Sequence, residues 1–327
     1  MFRLLLGVAI VVLLTASRGI DAAEPAWKPD KNVEVIIAAA AAGANDRIGR
    51  AIQRVLQEAK LVPTSVSAIN KPGGGQNIAV AYLNSHAGDA HYLMLASASW
   101  FTTVAGGRGS ISYKDVTPII RLFSEYQVYY THVDSRVKSG RDLGDLLKKD
   151  VTSVSFGFST ALGNPLHISI ANLARAVGAD PKKIRTVVYD SGALASAQIA
   201  GGHVDVGVSS PGSARPLAES GKLRIFAVAG PQRLGAPFAD IPTFREQGID
   251  VIAPVFYVML APKGISAAQL AYWEDALMKV TRSAEIQKDM ERNLWSVEPI
   301  VGKELMSFLD QQHEGMRRAL VELGLAK

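Results

Sequence analysis

The stretch SVSFGFSTALGNPLHISIANLARAV (153–177) decides the fold. Ser153–Phe158 is an apolar-rich run of strand length, and Pro165–Val177 reads as a helix. Between them lies Ser159-Thr160-Ala161-Leu162-Gly163-Asn164. Asn164 suits the helix N-cap, and Pro165 suits the first helical position, where no backbone N–H is needed. Toward the C-terminus the pattern repeats. It gives strand Arg185–Tyr189, helix Leu194–Ala200, strand Val204–Ser209, helix Ala214–Glu219 and strand Leu223–Ala229. A loop rich in Pro and Gly leads to strand Val255–Leu260, and the chain is expected to be all helix from about Ser266 to Leu325. Toward the N-terminus lie strands Val33–Ala38, Ser65–Ile69 and His91–Ala96. The helix Asn45–Ala59 places Ile48, Ile52, Val55, Leu56 and Ala59 on one face, with Asn45 as its expected cap.

Strand–helix alternation predicts an α/β protein with parallel sheets covered by helices on both faces. Two such runs, separated near Pro118–Val133, predict two lobes. A helical C-terminus needs a sheet to cover. The chain is therefore expected to leave the first lobe near residue 123 and return near residue 252. Lobe 1 is then residues 24–123 with 252–327, and lobe 2 is residues 124–251. Two crossing segments make a hinge suited to closing around a ligand.

The N-terminus sets the expected compartment. Arg3 precedes the apolar run Leu4–Ala16, which is shorter than the about 20 residues that span a bilayer and matches a secretory signal. Residues 1–23 are read as a signal peptide, with an uncleaved anchor as the alternative. The chain has no Cys, which excludes disulfides, cysteine-based metal sites and a cysteine-linked lipid. The net charge of +5 is spread out, and basic residues pair at most, as in Lys148-Lys149 and Lys182-Lys183. A nucleic-acid partner would need a clustered basic stripe, so none is expected.

In open α/β sheets, ligands bind beyond the carboxyl ends of the strands. The segments there are Ala38–Asn45, Ser97-Ala98-Ser99, Ser159–Asn164, Asp190-Ser191-Gly192 and Ser209-Ser210. They are rich in hydroxyls, amides and glycine and poor in charge. Helix N-termini converging there can hold a carboxylate through backbone N–H groups without Arg or Lys. Each charge-assisted bond is worth roughly 1.5–3 kcal/mol. His167, in the first turn of its helix, either lines the cleft or caps and packs. Catalytic patterns fare poorly. Ser135-x-x-Lys138 lacks the companion motifs of acyl-serine enzymes, and Gly73-Gly74-Gly75 does not complete a dinucleotide fingerprint. His86 and His91, with Asp89 between them, span a turn into a strand and do not share a helix face. No metal, cofactor or catalytic residue is expected.

Together these loops resemble the substrate-binding proteins of tripartite tricarboxylate transporters, the Bug family. Asn70-Lys71-Pro72-Gly73-Gly74-Gly75-Gln76-Asn77-Ile78 is similar to the family's N-R-P-G-A-G-G-N-I. Ser159 through His167 resembles its S-A-G-x-G-x-x-x-H loop, and Gly201-Gly202-His203-Val204-Asp205 its G-G-Q-V-D. Gly221–Arg224, Asp240–Thr243 and Leu260–Gly264 also match, so the resemblance covers essentially the whole chain after the signal. It implies a two-lobed periplasmic-binding-protein fold (type II-like), an organic acid in the cleft and delivery to integral-membrane transporter subunits. A monomer is expected. A signalling subunit for a membrane sensor and an exported α/β enzyme are the alternatives. The residues expected at the ligand are Ala40, Ala41, Ala42, Gly43, Asn45, Asp46, Gly75, Ser97, Ala98, Ser99, Ser159, Thr160, Gly163, Asn164, His167, Asp190 and Ser209. The chain departs from the family at two places. Ala38-Ala39 and Ala42 replace the Pro, Phe and first Gly of P-F-x-x-G-G-x-x-D, and Asp190 replaces a common Lys.

Overall fold

Apolar strands and amphipathic helices alternate in space as they do in sequence. The computed structural model describes residues 27–41 and 44–327. The expected signal peptide, and Ala42 and Gly43 of the first loop, lie outside the described residues. The first run is β1 (Val33–Ile37), α1 (Ala44–Glu58), β2 (Val66–Asn70), α2 (Asn77–Asn84), β3 (Tyr92–Ser97), α3 (Ala98–Ala105) and β4 (Thr117–Tyr126). The second is β5 (Val128–His132), α4 (Gly140–Lys149), β6 (Ser155–Ser159), α5 (Pro165–Ala176), β7 (Arg185–Tyr189), α6 (Gly192–Ala200), β8 (Val206–Ser209), α7 (Pro211–Glu219) and β9 (Leu223–Val228). The chain closes with β10 (Pro254–Ala261), α8 (Ala267–Thr281), α9 (Ala284–Asn293), β11 (Trp295–Val301) and α10 (Gly302–Glu322).

These strands form two sheets, ordered β11-β4-β10-β3-β1-β2 and β7-β6-β8-β5-β9. The chain passes from the first sheet to the second through a single residue, Gln127, and returns between Val228 and Pro254. The expectation of parallel sheets is corrected: both are mixed. β1 is parallel to β2 and β3, but β10 runs antiparallel to β3 and β4, and β11 antiparallel to β4. In the second sheet β6 is parallel to β7 and β8, while β5 is antiparallel to β8 and β9. The returning strand β10 enters beside β4 without a crossover helix, so it meets its neighbours head to tail. The expectation of an all-helical C-terminus is also corrected. Trp295-Ser296-Val297-Glu298-Pro299-Ile300-Val301 is rich in strand formers, and Pro299 opposes a helix. The ladder slips between Val297 and Ile300, the position of that proline.

Each sheet has apolar clusters on both faces. Val35, Leu93, Leu95 and Phe123 pack with Ile52, Leu56 and Trp273 from α1 and α8 on one face of the first sheet. Ile36, Met94, Phe256 and Leu260 pack with Phe101, Leu305 and Leu309 from α3 and α10 on the other. Phe156, Phe158 and Val208 pack with Ile170 and Leu173 of α5 in the second sheet. Each such side chain contributes roughly 1.5–3 kcal/mol on full burial, which fixes the strand ends that carry the loops.

Candidate functional site

The register brings the strand ends together. In the first sheet Ile37 pairs with Asn70 on one side and Leu95 on the other, so the carboxyl ends of β1, β2 and β3 lie side by side. In the second sheet Ser159 pairs with Tyr189, and Gly157 with Gly207, so β6, β7 and β8 end together. The loops singled out by sequence therefore collect on one edge of each sheet. The loop after β6 also meets the first sheet's helices. A methyl group on Gly163 would stand 2.9 Å from Leu320 of α10, and Gly163 holds φ +78, where a side chain is strained.

On the first edge the polar side chains hold one another. Asn70 Nδ2 donates to the Ala39 carbonyl at 3.0 Å and to Asp46 Oδ1 at 2.8 Å. Arg50 Nε donates to Asp46 Oδ1 at 3.0 Å, and Arg50 Nη2 to Asn70 Oδ1 at 2.8 Å. Asp46 is buried by this network, and Ala40 and Ala41 are exposed beside it. The expected cap at Asn45 is corrected: α1 begins at Ala44, so Asn45 lies inside its first turn. Gly75 is exposed in the turn after β2. The next residue, Gln76, was not singled out by sequence, yet it ties this turn to β3. Its Nε2 donates to Ser97 Oγ at 2.5 Å, and its Oε1 accepts from Ser97 N at 3.2 Å. Its place in the Asn70–Ile78 motif was the available signal. Ala98 is revised too. Its side chain is fully buried in the core, so only its backbone is left to face a ligand. Ser99 is half-buried, and its carbonyl accepts from Thr102 Oγ1 and Thr103 Oγ1.

The second edge is built by caps and hydroxyls. Asn164 Oδ1 accepts from His167 N at 3.0 Å, and its Nδ2 donates to the Ser159 carbonyl and to Thr160 Oγ1. His167 is buried and stacks on Phe158 with ring centroids 5.2 Å apart. Its Nδ1 accepts from Gly163 N at 3.0 Å. Burial pushes its imidazole down to about 4, so the ring is neutral, as an acceptor must be. Of the two readings of His167, capping-and-packing matches this geometry. Thr160, Ala161 and Leu162 are left exposed at the loop tip. Asp190 is exposed at the end of β7, next to Ser191, whose Oγ caps α6 at Leu194 N. A Cβ on Gly192 would lie 2.7 Å from Ser213 Oγ and 3.9 Å from Ser159 Oγ, so these groups share one patch. Ser213 and Gly192 were not among the expected contacts. Ser209 is revised: its buried hydroxyl donates to the Ser210 carbonyl instead of facing outward.

Capping differs among these helices. Asn164 and Ser191 cap α5 and α6 through side chains. The helices that come after Ser97 and Ser209, α3 and α7, have no side-chain cap hydrogen bond among the described residues. Each leaves N–H groups and a positive dipole end at its sheet's carboxyl edge.

The hinge holds a buried acid. Glu125, near the end of β4, accepts from Trp295 Nε1 at 2.8 Å. Burial pushes its carboxyl up to about 7, against the opposing pull of Trp295 and Arg47.

Residues 48–325 match the family model described as the tripartite tricarboxylate transporter family receptor. The chain is 27% identical over 264 residues to the protein BugT of Bordetella pertussis, covering 78% of each. In fold it is similar to a TctC solute-binding protein of Polaromonas, with TM-score 0.79 and 21% identity over 90% of this chain and 99% of that one. It is also similar to a Rhodopseudomonas palustris protein solved with adipate, with TM-score 0.72 and 19% identity over 91% and 99%. A third neighbour is the MatC protein of Rhodopseudomonas palustris with bound malate, with TM-score 0.66 and 19% identity over 90% and 99%.

Proposed function

From the premise that the chain belongs to the tripartite tricarboxylate transporter receptor family, we propose that it captures a small organic carboxylate between its two sheets. The observation that carries this reading is the pair of helix N-termini, α3 and α7, left without side-chain caps at the carboxyl edges of the two sheets. Backbone N–H groups there, with the hydroxyls of Ser99, Thr160, Ser210 and Ser213, offer hydrogen bonds to a carboxylate at little cost in reorganisation. Adipate and malate in the related structures, each with two carboxylates, support an organic acid as the ligand.

The lobes divide as residues 24–123 with 252–327 and residues 124–251; sheet membership supports this except at Ser124–Tyr126, which pair with β10 as the end of β4 in the first sheet. The ligand lies against Ala40, Ala41, Asn45, Asp46, Gly75 and Ser97–Ser99 of the first lobe. From the second lobe it meets Ser159–Asn164, the Asp190–Gly192 turn and the Ser210–Ser213 patch. The protein works in the periplasm as a monomer, after removal of residues 1–23, and hands its ligand to integral-membrane transporter subunits. It binds without catalysis. His167, in the first turn of α5, spends its acceptor nitrogen on Gly163 N and is kept from acting as a base.

A thermal-shift panel of mono-, di- and tricarboxylates at millimolar concentration tests this. A ligand at about 100 times its Kd adds about 2.7 kcal/mol. At about 2.1 cal/mol/K of unfolding entropy per residue, a chain of about 300 residues then rises in Tm by roughly 4 °C. A panel with no shift overturns the proposal.

A further inference from the structure

Gln127 is the only residue between the last residue of β4 and the first of β5. The ladders locate it. Ser97, the carboxyl end of β3, pairs with Tyr257, which pairs with Phe123 of β4. β4 is thus parallel to β3 and runs three residues past that edge to Tyr126. On the other side Val128 pairs with Ser209, the carboxyl end of β8. Gln127 therefore stands where the carboxyl edges of the two sheets meet. Its carbonyl accepts from Ala229 N of the returning segment, which fixes its backbone to both crossings.

Its side chain is 1% exposed, and both Nε2 and Oε1 lack a hydrogen-bond partner among the described residues. A buried primary amide with neither donor nor acceptor satisfied is costly, and native proteins keep such groups where something else completes them. The contrast with Gln76 is direct. That buried amide uses both of its ends on Ser97.

We infer that the Gln127 carboxamide determines specificity by pairing with a ligand group that both donates and accepts. This deepens the proposed carboxylate reading and rests on it. A carboxylate only accepts, so it would satisfy Nε2 and leave Oε1 empty. A hydroxyl or ammonium beside a carboxylate supplies the donor that Oε1 needs. The ligand class is thus a hydroxy or amino acid, preferred over its unsubstituted parent.

The test is titration calorimetry with matched pairs: succinate against malate and aspartate, glutarate against glutamate, benzoate against 4-hydroxybenzoate. Wild-type protein should favour a substituted member by about tenfold or more, since leaving a buried polar group unpaired is heavily penalised. Gln127→Leu should bring that preference within about twofold and leave the ligand-free Tm unchanged or higher, because it removes an unpaired amide. If the leucine variant does not fold, Gln127→Met is read in its place. A preference that survives in the variant, or a wild type that binds both members of each pair equally, overturns the inference while leaving the carboxylate reading intact. A ligand-free Tm that falls by several degrees in a folded variant also overturns it, because the amide would then be satisfied within the protein. Absence of binding by every pair overturns both.

Discussion

The two sheet edges that flank the cleft solve the same problem differently. On the first edge Asn70, Asp46 and Arg50 bind one another and the Ala39 carbonyl, and Gln76 binds Ser97. On the second edge Asn164, Ser191 and a neutral His167 secure helix starts and a loop. The first edge uses its charge internally, to hold its own loops together. The second uses side chains as caps and leaves Thr160–Leu162 exposed at its loop tip. Each edge has a helix start, at α3 or at α7, without a side-chain cap among the described residues. Under the proposed reading, ligand charge is met by backbone, and side-chain charge is kept for scaffolding.

The largest effect should come from filling the second edge. Gly192→Val puts a branched side chain where Ser213 Oγ already lies. Losing the hydrogen bond of the displaced Ser213 hydroxyl to the carboxylate, roughly 1.5–3 kcal/mol, corresponds to about a tenfold to hundredfold loss of ligand affinity. Because Gly192 starts α6 and is partly exposed, Tm should change by only a few degrees, and calorimetry with a melting curve separates the two. The first edge should respond in the opposite proportion. Asn70→Ala strands the Ala39 carbonyl and weakens the hold on Asp46, at a stability cost of about 1–2 kcal/mol. Affinity should fall about tenfold as the first loop loses its anchor.

Two smaller effects depend on pH and have opposite signs. The imidazole of His167 sits at about 4 in the folded chain, below its ordinary 6.5. Between those values the unfolded chain binds the proton and the folded chain does not. Stability is therefore complete above pH 6.5 and is lost as pH falls toward about 4. His167→Asn, whose Oδ1 can accept from Gly163 N, should be less stable than wild type at neutral pH, and the gap in Tm should narrow on acidification. Glu125 behaves in reverse. Its carboxyl at about 7 lies above the ordinary 4.5, so the folded chain holds the proton in that window and stability falls as pH rises through it. Glu125→Gln keeps an acceptor for Trp295 Nε1. Its Tm should gain on wild type between about pH 5 and about pH 8.

Much of the fold was legible because its signals are local. Arg185–Tyr189 matches the predicted strand, and Asn164 with Pro165 opens α5 as their chemistry requires. Strand direction was not legible, since β10 pairs with β3 and β4 from more than a hundred residues away. β11 lay hidden between helices, where one short strand pattern is outweighed by helical neighbours. At the site, the position of each loop could be read from its place directly after a strand. The use of each hydroxyl could not. Ser97 is claimed by Gln76 and Ser209 turns to the Ser210 carbonyl, contacts set by packing and not by residue type. His167 illustrates the same limit, because its neutrality comes from burial against Phe158.

Backbone N–H groups of both edges, in place of cationic side chains, are proposed to hold the carboxylate. Titration calorimetry of the best acid from the panel against its own primary amide isolates that contribution. One molecule should bind per chain, with the amide at least about tenfold weaker, because a neutral carbonyl gains less from a helix N-terminus than an anion does. Equal affinity for acid and amide would contradict capture by the helix N-termini.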